Sequence, residues 1–519
     1  MAIWYFRPLA PVRTLSVPRW PGFSSQCHPH CSHRARTNVT IQHNELLDAL
    51  QGAMARHNVI GASVALFDQG DLVAAAAGLI NSETGVDLTP DTVMHIGSIC
   101  KVFNATLVMQ LVDEGLIDLD ECILEYLPPL DWHDGGAAAR GISVRMLLNH
   151  TSGINGEILP DHGPDEETLE KGVRRWVRLG QLFPPGSEFS YCNAAVSMSG
   201  YIVQQIRQKS WYTIVRERIF SPLEMRHSIS IPEEAMLFRT AVGHYRDPAS
   251  PGRHIRTRRA LLPMSFGPGG STVMMSATDL VTFARAHMDG GVGPNGARML
   301  SERSTRAMQV QTVDNAGKGY AALDVGLGWM RSKDGLLNHN GGAPGVTSSL
   351  YVHPEKQFAI AILTNSEHGA DLIRDIAQPY LRAVSAAPLI GLRKGGETVC
   401  SLTRPLQAYI GAFEDVLTRY VISSDGVHLF LTRQYGFDFY DSISTQPTVA
   451  ARLDHVGGDQ FLWRADSDVA GGELAATRLF AFRRPRQDGT LELLCSGLRA
   501  YRRVAAATDR ATAVFPRSQ

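Results

Sequence analysis

His95-Ile96-Gly97-Ser98-Ile99-Cys100-Lys101-Val102-Phe103 is the stretch on which the reading of this 519-residue chain turns. It reads as a tight turn feeding a helix. Gly97 permits close backbone approach. Val102, Phe103, Leu107, Val108, Leu111 and Val112 then recur at helical spacing. Three residues make nearly one turn, so Ser98 and Lys101 share a face. A buried amine that is neutral part of the time can take the proton of a neighbouring hydroxyl. Free N–H groups and positive potential at a helix N-terminus favour an oxyanion there. A serine and a lysine at this spacing also occur by chance, as a helix cap beside a snorkelling lysine. The chemical reading therefore needs partners elsewhere in the chain.

Two further stretches supply candidates. Tyr191-Cys192-Asn193 follows Pro184-Pro185-Gly186 and Phe189-Ser190. A phenol whose pKa is lowered by a cation can carry a proton between nucleophile and leaving group, and the Asn193 amide can orient a lysine and a substrate carbonyl. His339-Asn340-Gly341 begins a strand, and its glycine leaves room for a substrate to lie alongside. Taken alone, the first is a loop tyrosine with an Asx turn, and the second is an ordinary core histidine. Cys100 and Cys192 interrupt two of these stretches. A catalytic thiol is less economical there than a small, buried, inert one, because Ser98 already has a base.

Outward from these stretches the pattern predicts an α+β fold. A helix starts near Thr40, with Ile41, Leu46, Leu47, Leu50 and Met54 on one face. Two apolar runs, Gly61 to Phe67 and Leu72 to Ala77, flank the turn Asp68-Gln69-Gly70-Asp71 and read as a hairpin. Residues 154–320 read as mostly helical with loops, including helices near 194–208 and 277–288. Strands return over 336–365, and a helix near 369–385 follows. The early and late strands are expected to share one antiparallel sheet. The first and last helices would cover one face and the helical middle the other. Residues 405–505 change texture to short β runs, namely 412–413, 419–422, 427–432, 461–463, 478–482 and 491–494, which predict a small all-β barrel or sandwich. The expected organisation is a leader (1–37), a catalytic domain (38–388), a link (389–404), an all-β domain (405–507) and a tail (508–519).

Ser98 with Lys101, Tyr191 with Asn193, and His339 with Gly341, in that order and at these separations, resemble the serine β-lactamase and penicillin-binding-protein superfamily. The similarity is greatest to the branch with class C β-lactamases, D-aminopeptidases, β-lactamase-like esterases and fungal acyltransferases, the S12 serine peptidases. Met146-Leu147-Leu148-Asn149-His150-Thr151-Ser152-Gly153, Gly267 to Ser271 before Ala277-Thr278-Asp279-Leu280, and Pro344-Gly345 before Tyr351-Val352 support it. The resemblance covers residues 40–385, and the β tail is similar to the lipocalin-like domain of some members. It implies that Ser98 attacks a carbonyl, that Lys101 and Tyr191 move protons, and that the N–H groups of Ser98 and Gly342 form the oxyanion hole. Asn193, His339, Gly341 and Gly342 would contact substrate, and no metal or organic cofactor is needed. One position departs from the pattern. His339 stands where penicillin-recognising enzymes usually carry lysine, and histidine is mostly neutral at pH 7. That favours esters or amides without an anchoring carboxylate over β-lactams.

Composition excludes other classes. Hydrophobic residues make up 44% and charged residues 19%, and the formal net charge is −1, so neither nucleic acid nor an acidic membrane is expected as partner. No apolar run approaches the ~18 residues that span a bilayer. The seven cysteines, odd in number and irregularly spaced, do not make a disulfide framework and suit a reducing compartment. The leader carries Arg7, Arg13, Arg19, Arg34 and Arg36 with no acid. It resembles a mitochondrial transit peptide, although its prolines suit an amphipathic helix poorly, and a disordered extension fits equally. The location expected is intracellular, cytoplasmic or mitochondrial. Cys27-His28-Pro29-His30-Cys31-Ser32-His33 has metal-binding residue types but no second ligand pair at finger spacing. The expected activity is therefore cleavage of a small ester or amide through an acyl-serine. Transfer of the acyl group to an alcohol, as on a secondary metabolite, and a silent scaffold on the same fold are the alternatives. Gly-x-Ser-x-Gly occurs nowhere, which disfavours an α/β-hydrolase.

Overall fold

The computed structural model describes residues 43–165, 167–247, 249–250, 252–315, 324–386, 400–436, 451–464 and 477–505. The expected leader with its Cys27–His33 run, the tail and most of the link lie outside the described residues.

Helix α1 (His43–His57) leads into strands β1 (Gly61–Asp68), β2 (Asp71–Asn81) and β3 (Val86–Asp87). Helices α2 (Cys100–Asp113), α3 (Asn193–Arg207) and α4 (Ala277–Met288) belong to the body between the two halves of the sheet. Strands β4 (Asp324–Val325), β5 (Met330–Arg331), β6 (Leu337–Ala343), β7 (Val346–His353) and β8 (Phe358–Thr364) complete the sheet, and α5 (Gly369–Val384) follows. The order is β3-β2-β1-β8-β7-β6-β5-β4, antiparallel throughout. The early hairpin thus pairs with the last strand, as the pattern predicts.

Period-two alternation sorts the central strands between two cores. Val64, Leu66, Ile360 and Ile362 pack under α1 and α5, against Leu46, Leu50, Leu372 and Ile376. Ala65, Phe67, Ala361 and Leu363 face the helical body, with Phe103 and Phe283 in the same cluster. Helix α2 runs through the middle of that body. Every residue from Cys100 to Leu111 is buried, and Phe103 stacks on Phe283 of α4 with ring centroids 3.7 Å apart. A helix buried on every side is a core helix, and Lys101 is buried because it rides on this one.

The middle is less helical than its composition predicts. Between Met225 and Met275 the described residues form only strands of two or three residues, such as His244–Arg246 and His254–Arg256, and 3₁₀ turns. Prolines and glycines break the helical period there.

Eight antiparallel strands, from Gly411–Glu414 to Arg499–Val504, close into a barrel in which Phe413 pairs with Arg503. Two of the eight, Ala451–Gly457 and Arg499–Val504, are not among the predicted β runs, since charged residues mask their alternation. Tyr409, Phe413, Phe461 and Phe482 meet edge-to-face inside the barrel, which is a packed core there. The barrel is seated on the sheet-and-helix part by Leu493, Cys495 and Ala500 against Leu182, Phe183 and Phe189. Polar ties add to this, including Arg483 to Glu188 at 3.0 Å and the Val416 N–H donated to Asn155 Oδ1 at 2.9 Å. Among the described residues no helix is long and apolar enough to cross a membrane.

One contact controls how close β6 comes to the turn before α2. A Cβ on Gly341 would lie 1.9 Å from the Ile96 carbonyl oxygen and 2.3 Å from Ser348 Oγ. Gly341→Ala should therefore cost ~1–3 kcal/mol through overpacking and lower the melting temperature. An unchanged melt would contradict this account of the strand's position.

Candidate functional site

Ser98 sits in the 3₁₀ turn Gly97–Ile99 that opens into α2. Gly97 has φ 52°, and a Cβ there would lie 2.5 Å from the Gly342 nitrogen. Glycine is thus required for the serine turn and β6 to touch. Ser348 Oγ donates to the Ile96 carbonyl at 3.0 Å and ties β7 to the same turn.

Lys101 Nζ lies 3.1 Å from Ser98 Oγ and also donates to the Gly269 carbonyl. Its side chain is 1% exposed. Burial pushes its pKa down to about 7, partly opposed by the Glu157 carboxylate and the nearby Cys100 and Cys192, and assisted by the Arg499 guanidinium. At neutral pH a large share of Lys101 is therefore an uncharged amine, able to accept the serine proton.

Tyr191 stands beside this pair. Lys101 Nζ is 4.9 Å from the centre of its ring, and the Arg499 guanidinium is 5.7 Å from it. His150 lies against the ring with centroids 4.4 Å apart. The Cys192 N–H donates to His150 Nδ1 at 3.1 Å, and burial, followed by Lys101, holds this imidazole neutral. The Tyr191 backbone is gripped by the barrel. Its N–H donates to the Leu498 carbonyl at 2.8 Å, and its own carbonyl accepts from Arg499 Nη1 at 3.3 Å.

Asn193 begins α3. Its backbone N–H donates to Glu157 Oε1 and its Nδ2 to Glu157 Oε2, both at 2.8 Å. A carboxylate accepts only, so the amide must present its NH₂ group to Glu157. This leaves Asn193 Oδ1 buried without a partner. Glu157 Oε2 is also 2.5 Å from Arg499 Nη1.

His339 on β6 is 3% exposed, and its Nδ1 lies 2.8 Å from the Asn340 carbonyl. The carbonyl can only accept, so Nδ1 carries the hydrogen and Nε2 is left as an acceptor with no partner. Burial, then the proximity of Lys101, lowers this histidine to about 3, so it is uncharged at neutral pH.

Ser98, Tyr191, His339, Gly341 and Gly342 line one cavity of about 420 Å³. Lys101 joins them through Ser98. Asn193 is not part of the cavity wall and is connected through Glu157 and Arg499. The opposite wall comes from the barrel, from Ser496 to Arg499 and Tyr501. Glu157, His150 and Arg499 are the site residues that sequence reasoning missed. His150 lies in a stretch already singled out, whereas the other two carry no motif. Cys100 and Cys192 are buried, with their thiols pushed up to about 12 by burial. Cys192 Sγ accepts from the Ala195 N–H and so caps α3, as a structural thiol does. Among the described residues no cluster of His, Cys, Asp and Glu is placed to hold a metal ion.

The Beta-lactamase family model matches residues 46–382, which include every element of the site except the barrel wall. "Penicillin-binding protein 4" of Amycolatopsis lactamdurans is 36% identical over 376 residues, covering 68% of this chain and 97% of that protein. Among solved structures, SurE aligns with TM-score 0.72 and 26% identity over 89% of this chain and 99% of its own, and it has also been solved with D-Leu. A D-stereospecific amidohydrolase from Streptomyces sp. aligns with TM-score 0.50 and 26% identity, over 64% of this chain and 98% of its own. This chain belongs to the beta-lactamase family, within the serine β-lactamase and penicillin-binding-protein superfamily.

Proposed function

We propose that this protein is a serine acyl-hydrolase that cleaves an ester or amide of a D-configured acyl group through an acyl-Ser98 intermediate. The observation that carries the reading is the buried Lys101 amine, lowered to about 7 and 3.1 Å from Ser98 Oγ. Lys101 takes the hydroxyl proton as Oγ bonds to the substrate carbonyl carbon. The resulting oxyanion is met by the N–H groups of Ser98 and Gly342. Tyr191 delivers a proton to the leaving oxygen or nitrogen as its bond to carbon breaks, and water then releases the acyl group by the reverse proton route. The D preference is supported by the D-Leu bound to SurE and by the D-stereospecific amidohydrolase, both at 26% identity. Neutral His339 supports substrates without a carboxylate at that position.

A second reading has its own support. The wall from Ser496 to Arg499 encloses the cavity from a second folded unit. Such a wall can hold an alcohol or amine acceptor in place of water, making the same acyl-enzyme an acyltransferase.

Ser98→Ala should abolish turnover of p-nitrophenyl esters and labelling by a fluorophosphonate, with the melting temperature retained. Labelling that persists in this variant contradicts the assignment. Because the neutral amine is the active form, wild-type kcat/KM should fall about tenfold per pH unit below 7 and level off above it. A flat profile from pH 5 to 8 contradicts Lys101 as base.

His339→Lys should raise kcat/KM for a cephalosporin, relative to a neutral ester, by roughly tenfold or more. That is the ratio expected from a charge-assisted hydrogen bond of ~1.5–3 kcal/mol. An unmoved ratio means that substrate charge is read elsewhere.

A further inference from the structure

Glu157 is 4% exposed. Its carboxylate accepts from the backbone N–H and the Nδ2 of Asn193 at the start of α3, and it also pairs with Arg499, which arrives on the last strand of the barrel. We propose that Glu157 is a positioning residue of the acyl-serine site and that Arg499 is its counter-ion, so that seating the barrel completes the site. The proposal rests on the acyl-serine reading.

The geometry gives Glu157 two tasks. It fixes which way the Asn193 amide faces, because only NH₂ can meet a carboxylate, and the unpartnered Oδ1 is the consequence. It also places one negative charge near Lys101, and Arg499 places a positive one there. A buried carboxylate without a partner is strongly unfavourable, so Arg499 allows Glu157 to occupy this position. The barrel's Asp415, whose Oδ1 accepts from the Leu417 and Thr418 N–H groups, lies within the field of Arg499. The barrel's last turn and strand also hold the Tyr191 backbone, at Leu498 and Arg499, so one part of the barrel fixes two elements of the site. The titratable groups around Lys101 are Glu157, Arg499, Cys100, Cys192, His150, His339 and Tyr191. Both histidines are held neutral and both thiols protonated. Glu157 and Arg499 are therefore the charges that mutation can remove to shift the amine's protonation.

The test is the rate of fluorophosphonate labelling of Ser98 in the full-length protein from pH 5 to 9, on wild type, Glu157→Gln and Arg499→Lys. Removing the negative charge disfavours the Lys101 cation. In Glu157→Gln the acid limb should therefore move to lower pH by about half a unit or more, with slower labelling on the plateau. Arg499→Lys keeps the charge and should leave the limb at its wild-type position. A purely structural ion pair would lower folding stability without moving the limb. A limb that stays fixed or rises in Glu157→Gln, or one that moves equally in Arg499→Lys, overturns the proposal. If Glu157→Gln does not fold, Glu157→Asp decides. It keeps the charge but shortens the reach to Asn193, so the limb should stay while labelling slows at least about tenfold; labelling at the wild-type rate overturns the proposal. Wild type that is not labelled at Ser98 at all overturns the acyl-serine reading itself and this proposal with it. A labelled wild type with an unmoved variant limb overturns this proposal alone.

Discussion

An ammonium ion stripped of water either finds compensating oxygens or gives up its proton, and Lys101 is held between these outcomes. It rides on a helix buried from Cys100 to Leu111, so it cannot snorkel to solvent. It has the Gly269 carbonyl and Ser98 Oγ as partners and the Glu157 carboxylate nearby. The rest of the site follows from this placement. β6 can lie against the serine turn only because Gly97 and Gly341 lack side chains, and that contact brings His339, Gly341 and Gly342 to Ser98. His339 is uncharged for the same reason that Lys101 is weakly basic, since each is buried beside another positive group.

Positive charge in the site therefore comes from an unexpected place. The third motif contributes a neutral imidazole, and the permanent cation is Arg499, delivered by the barrel and matched by Glu157. Among the described residues the barrel interior is packed with aromatic rings, and on its outside the strand pair around Gly497 forms one wall of the cavity. The family match ends at residue 382, whereas the likeness to SurE extends over 89% of the chain. The barrel thus belongs to the architecture of that neighbour and not to the family core.

What the sequence made legible was local or periodic. Ser98 and Lys101 were readable as one helical turn, the 61–77 hairpin from its turn residues, and the two cores from strands that alternate. Glu157 and Arg499 were not readable because their meaning depends on a contact across more than 300 residues. Arg499 also lies in a strand, Arg-Ala-Tyr-Arg-Arg-Val, whose charges mask its β pattern. Asn193 is expected to contact substrate from its position two residues after Tyr191. Its amide NH₂ faces the Glu157 carboxylate, a partner that no motif announces. The region around 225–275 failed for the opposite reason, since helical composition there is cut by Pro and Gly into short strands and turns.

The claim on which the account stands is that the Lys101 amine loses its proton near neutral pH. The chain has seven lysines, few enough for each side-chain resonance to be followed by NMR in protein labelled with ¹³C-lysine, with Lys101→Arg identifying the signal of interest. One resonance, absent in that variant, should titrate with a midpoint near 7. If the Lys101 resonance instead titrates near the ordinary lysine value of about 10.4, Lys101 is a fixed cation and cannot be the base that activates Ser98.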